Sequence, residues 1–152
     1  MKLYKLERKQ NLNITIEEAW DFFSNPRNLS KITPDGMGFI ITNEPPEKMV
    51  PGMIITYKIK ALAGINMNWV TEITYMQPPY MFVDEQRFGP YKFWHHTHNF
   101  KSAGNKTEMT ELVYYGVPFG ILGQIVHPII VRPKLEDIFN FRYKMLDDYF
   151  NK

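Results

Sequence analysis

The chain has 152 residues, enough for one domain with a substantial core and no second one. Its 18 basic and 16 acidic residues are interspersed, for a net charge of +2, so there is no electrostatic footprint for nucleic acid. Cysteine is absent, which excludes disulfides, thiol nucleophiles and thiolate metal sites, and no apolar run is long enough to span a bilayer.

The opening Met-Lys-Leu-Tyr-Lys-Leu-Glu-Arg lacks the apolar core of a signal peptide, and a cytoplasmic location is the expectation. Residues 2–13 then alternate, with Tyr4, Leu6, Arg8, Gln10 and Leu12 on one side, and predict a first strand. Thr15-Ile16-Glu17-Glu18 is a capping box that opens a short helix with Ile16, Ala19, Trp20 and Phe23 on one face. Asn25-Pro26 ends it, and Pro26 starts a second short helix through Ile32, closed by Thr33-Pro34-Asp35-Gly36.

From there to residue 117 the period is two. Segments 37–44, 53–61, 66–76, 80–88, 91–102 and 107–117 are separated by Pro45-Pro46, Pro51-Gly52, Ala63-Gly64, Pro78-Pro79, Gly89-Pro90 and Ala103-Gly104-Asn105, the pattern of a β-meander. Composition selects Met53, Ile55, Tyr57 and Ile59, then Met67, Trp69, Thr71, Ile73 and Tyr75, as inward sets. The apolar, glycine-punctuated bridge 116–123 reads as a mobile lid or as a packed corner. Leu135, Ile138, Phe139, Met145, Leu146, Tyr149 and Phe150 then recur at spacings of three and four, predicting a helix over 134–150, with Pro128 and Pro133 kinking or separating the turns before it.

Three of the four histidines fall in Trp94-His95-His96-Thr97-His98-Asn99-Phe100. Strand alternation puts Trp94, His96, His98 and Phe100 on one face. Imidazoles flanked by Trp and Phe suit the wall of a semi-polar cavity, because a buried imidazole needs hydrogen-bond partners.

One strand, two short helices, six antiparallel strands and a long C-terminal helix resemble the helix-grip fold of the START-like, or SRPBCC, superfamily over essentially the whole chain. Asn28-Leu29-Ser30-Lys31-Ile32-Thr33-Pro34, Asp84-Glu85-Gln86 leading into Gly89-Pro90-Tyr91, Trp94-x-His96-x-His98-x-Phe100 and Phe139-x-Phe141-Arg142 are similar to its bacterial ligand-binding branch, often labelled polyketide cyclase or dehydrase-like. The resemblance implies an α+β fold, in which a seven-stranded curved antiparallel sheet wraps around the helix and leaves a cavity for lipids, sterols, polyketides or other hydrophobic molecules. It implies no activity, since one fold carries transport, binding and enzymatic roles.

The residues expected to contact a ligand are Tyr57, Trp69, Phe82, Gln86, Trp94, His96, His98, Phe100, Tyr115, Phe139 and Arg142. A hairpin at residues 103–106 would set His98 opposite Glu111 and His96 opposite Val113, while Asp84 and Gln86 lie on the preceding strand in a register the sequence leaves open. For Asp84, His96, His98 and Glu111 three readings stand: a hydrogen-bonded structural network forming the polar end of a cavity, a metal site of two His and a carboxylate, or a general acid–base pair. Arg142, on the apolar stripe of the last helix, must pair with an acid, reach water or hold a ligand carboxylate. The expected partner is a small hydrophobic ligand, with no cofactor, no resident metal, no nucleic acid and no membrane insertion; the oligomeric state is not readable. A non-catalytic binding protein is the first expectation, and a cyclase, dehydratase or isomerase the alternative.

Overall fold

The computed structural model describes residues 1–60 and 64–152. The expected turn at Ala63-Gly64 therefore falls partly outside the described residues. Seven strands form one antiparallel, curved sheet: β1 (Tyr4–Leu12), β2 (Ile40–Ile41), β3 (Ile54–Lys60), β4 (Asn66–Gln77), β5 (Met81–Phe88), β6 (Phe93–Ala103) and β7 (Lys106–Gly116), in the spatial order β1-β7-β6-β5-β4-β3-β2. Between β1 and β2 lie helix α1 (Ile16–Phe23) and two 3-10 turns, Pro26–Ile32 and Asp35–Met37. After β7 come α2 (Gly120–Val126), a π-helical segment (His127–Val131) and α3 (Arg132–Phe150), which packs against the sheet.

Local chemistry accounts for most of these elements. Thr15 caps α1 reciprocally: its hydroxyl accepts from the Glu18 N–H, and the Glu18 carboxylate accepts from the Thr15 N–H. The β6–β7 hairpin closes with Ala103 opposite Lys106, and Gly104 occupies the left-handed region at φ 72° that such a tight turn requires. Its register pairs His98 with Glu111 and His96 with Val113, as alternation and loop length predicted.

Four expectations change. Strand 37–44 shrinks to Ile40–Ile41, because a 3-10 turn and a left-handed Gly38 use up its start. At its end the Asn43 side chain takes over the pairing, accepting from the Thr56 N–H and donating to the Ile54 carbonyl. Tyr75, expected inward, is half exposed: the β4–β5 register shifts between Ile73 and Tyr75, and Met76 turns to the core instead. The C-terminal helix starts well before residue 134, since the chain is helical throughout 120–150. Pro128 and Pro133 are accommodated by the π segment, in which the Arg132 N–H reaches back to the His127 carbonyl and the wider turn makes room for the rings. The bridge is thus neither a loop lid nor a packed corner; from Gly120 it is helix with its side chains outside.

Besides a smaller cluster of Met53, Ile55 and Ile73, two apolar clusters occupy the space between sheet and helix. One gathers Leu6, Ile59, Trp69, Trp94, Val113, Leu135 and Phe139; the other gathers Leu12, Ile16, Phe23, Phe82, Phe100, Met109 and Leu146 around α1. Along β6, His96 and His98 lie between Trp94 and Phe100, and along α3, Arg142 lies between Phe139 and Leu146. A polar layer thus separates the clusters. Among the described residues no helix is long and apolar enough to cross a membrane.

Candidate functional site: a buried charged layer at a cavity wall

Three strands and one helix deliver the polar layer. Asp84 on β5 stands opposite His96 on β6, which with His98 points to the helix side of the sheet. Glu111 on β7 stands opposite His98, and Arg142 descends from α3 onto Glu111, to which its Nη1 donates a hydrogen bond. His98 Nε2 lies 2.8 Å and His96 Nδ1 3.3 Å from Asp84 Oδ2. His96 Nε2 is 3.4 Å from Glu111 Oε1, so His96 bridges the two carboxylates. The imidazoles lie 3.8 Å apart, the His98 ring stacks on Phe82 at 4.1 Å, and the Arg142 guanidinium sits 5.0 Å above the Phe139 ring. His95, on the other face, pairs outward with Glu85.

Burial opposes every charge in this layer, and the neighbours decide which charges survive. Desolvation pushes the Asp84 carboxyl up, yet the His96 charge and hydrogen bonds with both imidazoles outweigh it and hold the carboxyl well below the usual range. Glu111 is likewise held low against desolvation, chiefly by Arg142 and then by His96. For His96, desolvation disfavours protonation, but Asp84 and Glu111 on either side raise its pKa. Desolvation and the adjacent His96 charge push His98 down to about 4. The layer thus sets two carboxylates against the Arg142 guanidinium and an imidazole, His96, whose raised pKa favours its charged form, while His98 is neutral at neutral pH and donates from Nε2 to Asp84.

Next to this layer is a cavity of about 150 Å³ between sheet and α3. Its walls are mainly aromatic and aliphatic. Tyr57, Trp69, Phe82, Trp94, His96, His98, Phe139 and Arg142, all expected at the ligand, line it together with Asp84. Glu111 sits behind Arg142 rather than on the wall. Three expected contacts are elsewhere. Phe100 packs against Trp20, Phe23 and Phe82 in the α1 cluster. Tyr115 packs in the cluster of Trp94 and Phe139, and its hydroxyl is turned to His127 Nε2 at 2.8 Å. The Gln86 side chain folds back on its own turn, donating to the Tyr91 carbonyl and accepting from the Tyr91 N–H. That fold-back seats Tyr91, absent from the expected set, on the cavity wall beside Trp69 and Trp94; its signal was the Gly89-Pro90-Tyr91 turn. Thr71, also missed, bonds the Tyr57 hydroxyl at 3.1 Å and breaks the apolar wall near Asp84.

Of the options for Arg142, pairing with an acid is what the geometry displays, so its charge is already neutralised by Glu111. Asp84, His96 and His98 each bring one ligand atom within 4.8 Å of the others, the donor types of a two-His, one-carboxylate metal site. His98 Nε2 already donates a proton to Asp84 Oδ2, however, and His96 Nδ1 lies 3.3 Å from the same oxygen, so an ion binding there must displace protons that the low-pKa Asp84 carboxylate holds in place. A proton-linked network fits this geometry better. The Asp84–His98 pair also has the form of a carboxylate-oriented neutral imidazole, which can accept or relay a proton.

No protein-family model matches the chain, and no curated protein matches it. Solved structures do. A Chromobacterium violaceum protein superposes with a TM-score of 0.70 at 14% identity, covering 98% of this chain and 99% of its own. A ginseng major latex-like protein from Panax ginseng gives 0.65 at 11% identity, covering 97% of each chain. Norcoclaurine synthase from Thalictrum, a point mutant in complex with a transition-state analogue, gives 0.65 at 12% identity, covering 97% of this chain and 96% of that one. Likeness at such identity is one of fold, and the fold is the helix grip.

Proposed function

We propose that the protein is a ligand-binding domain of the START-like, or SRPBCC, kind, close to the branch labelled polyketide cyclase or dehydrase-like. It takes a small hydrophobic or amphipathic molecule, of lipid, polyketide or aromatic type, between sheet and helix. The observation that carries this reading is the partly open, largely apolar cavity with a layer of paired buried charges at one wall. A space of about 150 Å³ holds a molecule of roughly one aromatic ring. Met37 and Met49 on its wall are flexible enough to yield to a larger one. Burying about 300 Å² of ligand surface at ~25 cal/mol/Å² gives roughly 7 kcal/mol before association costs, which places affinity near the micromolar range. The layer sets the ligand's character: its charged groups already pair with one another, so a charged ligand finds no free partner there and uncharged molecules are preferred.

Native mass spectrometry of protein purified from cells tests this directly, and quenching of Trp69 and Trp94 fluorescence by toluene, phenol and benzoate tests it in solution. Saturable binding of toluene and phenol, with benzoate weaker, supports the reading. No saturable binding by any of them, with nothing co-purifying, overturns it.

A second reading, an enzyme of the cyclase, dehydratase or isomerase type, is favoured by one observation: neutral His98, oriented by Asp84, lies on the cavity wall. One fold relative, the norcoclaurine synthase, is named as an enzyme. On this reading His98 moves a proton on a bound carbonyl compound, assisted by Asp84, with His96 and Glu111 holding the pair. Turnover of an enone or polyketide that persists in both His96→Ala and His98→Ala removes the acid–base proposal.

A further inference from the structure

The segment after β7 presents large apolar side chains to solvent to an unusual extent. Phe119 is 82% exposed, Ile121 76%, Leu122 71%, Ile129 72% and Ile125 59%. Ile121, Ile125 and Ile129 recur every four residues, and Leu122, Val126 and Ile130 form the adjoining row, so the helix carries a continuous apolar stripe on its outer face. His127 and Val131 are its buried residues; His127 stacks on Tyr4 and bonds Tyr115, anchoring the segment to the sheet. A surface helix normally turns its polar face outward. Here the outward face is the apolar one, a mark of a surface made to be covered.

Charge indicates the cover. From Leu112 to Leu135 the chain has no acidic residue. Arg132 and Lys2 both lie close enough for their charges to act on His127, and Lys134 follows one turn into α3. Glu136 offsets Arg132 through an ion pair, leaving Lys2 and Lys134 as net positive charge beside the stripe. A second copy placed on this face by two-fold symmetry would set these cations near their own copies. A bilayer with anionic headgroups meets apolar stripe and basic rim at once, as interfacial amphipathic helices do.

We propose that α2 and the π segment form a docking surface that lies on an anionic lipid bilayer, with Phe119, Ile121, Leu122, Ile125 and Ile129 at the boundary between headgroups and acyl chains. The surface rests on the membrane without spanning it. α3 continues from this segment, and its first turns supply Lys134, Leu135 and Ile138 to the cavity wall, so a docked protein holds its cavity beside the membrane. Collection of the ligand from the bilayer rests on the cavity reading above; the docking does not.

Flotation of the full chain with vesicles of phosphatidylcholine, alone or mixed with phosphatidylglycerol, tests the proposal. Wild type is expected to float with the mixed vesicles, roughly tenfold more tightly than with neutral ones, and to be released by salt. Ile121→Glu combined with Ile129→Glu is expected to abolish flotation, while thermal unfolding and toluene binding stay as in wild type because both side chains are outside the core. Wild type that fails to float, or floats equally on neutral vesicles, overturns the proposal, as does a double variant that still floats. A wild-type dimer that the double substitution splits, with no lipid binding, assigns the stripe to a second copy and overturns it too. A protein that floats but binds no aromatic probe keeps the docking surface and overturns the cavity reading; one that binds the probe but never floats does the reverse.

Discussion

Arg142 of the C-terminal helix and Glu111 of β7 form a buried ion pair that fastens the helix to the middle of the sheet. Glu111 is 2% and Arg142 8% exposed, so each charge depends on the other. Arg142→Met leaves the Glu111 carboxylate buried beside His96 and His98 alone, and is expected to cost about 3–5 kcal/mol in denaturant unfolding. Adding Glu111→Gln should recover part of that loss, since the unpaired charge is then gone. A single variant as stable as wild type would show that the pair carries no such interdependence.

The two imidazoles give stability opposite slopes on either side of their ordinary pKa of 6.5. Folded His98 stays neutral down to about 4, so between 6.5 and 4 the unfolded chain binds a proton that the folded one does not. Stability therefore falls with acid, by about 1.4 kcal/mol per pH unit per proton. Folded His96 keeps its proton above 6.5, where the unfolded chain has lost it, so its contribution is complete below 6.5 and fades as pH rises through its raised pKa. Below pH 4 the lowered carboxyls of Asp84 and Glu111 steepen the acid loss. Urea midpoints across pH should peak near 6.5; His98→Gln should flatten the acid limb and His96→Gln the alkaline one. A monotonic profile through that region contradicts the assignment.

Filling the cavity separates binding from folding. Ile73 is fully buried and lies on the wall, so Ile73→Phe places its extra atoms in space already open. Toluene affinity is expected to fall more than tenfold, with stability changed by less than about 1.5 kcal/mol. Unchanged affinity would locate the bound probe elsewhere.

Because zinc would have to displace the protons that the imidazoles share with Asp84, it is expected to leave the melting temperature unchanged. A rise that grows with zinc concentration and vanishes in Asp84→Asn would reveal a metal site after all.

Much of this layer was legible in the sequence because strand alternation and a tight hairpin are local properties. The Trp94-x-His96-x-His98 spacing alone decided that the two imidazoles share a face, and four residues from Ala103 to Lys106 decided that Glu111 faces His98. Asp84 and Gln86 show where that reasoning stopped: they sit on one strand two residues apart, yet one joins the imidazoles and the other bonds its own turn. Which did which depended on the pairing of β5 with β6, reached through a turn whose length left the register open.

Composition, alternation and capping thus determined the element order that resembles the helix grip, the inward face of most strands and the pairing of His98 with Glu111, all of which follow from contacts between near neighbours in the chain. Tertiary packing decided the bulge that turns Tyr75 outward, the seat of Arg142 on Glu111, and the helical course of residues 120–133 through two prolines. Those outcomes depend on an extra residue absorbed by one strand, on the angle at which a distant helix crosses the sheet, and on a widened turn that makes room for proline. Each is set by segments far apart in sequence meeting in space, and no local periodicity encodes it.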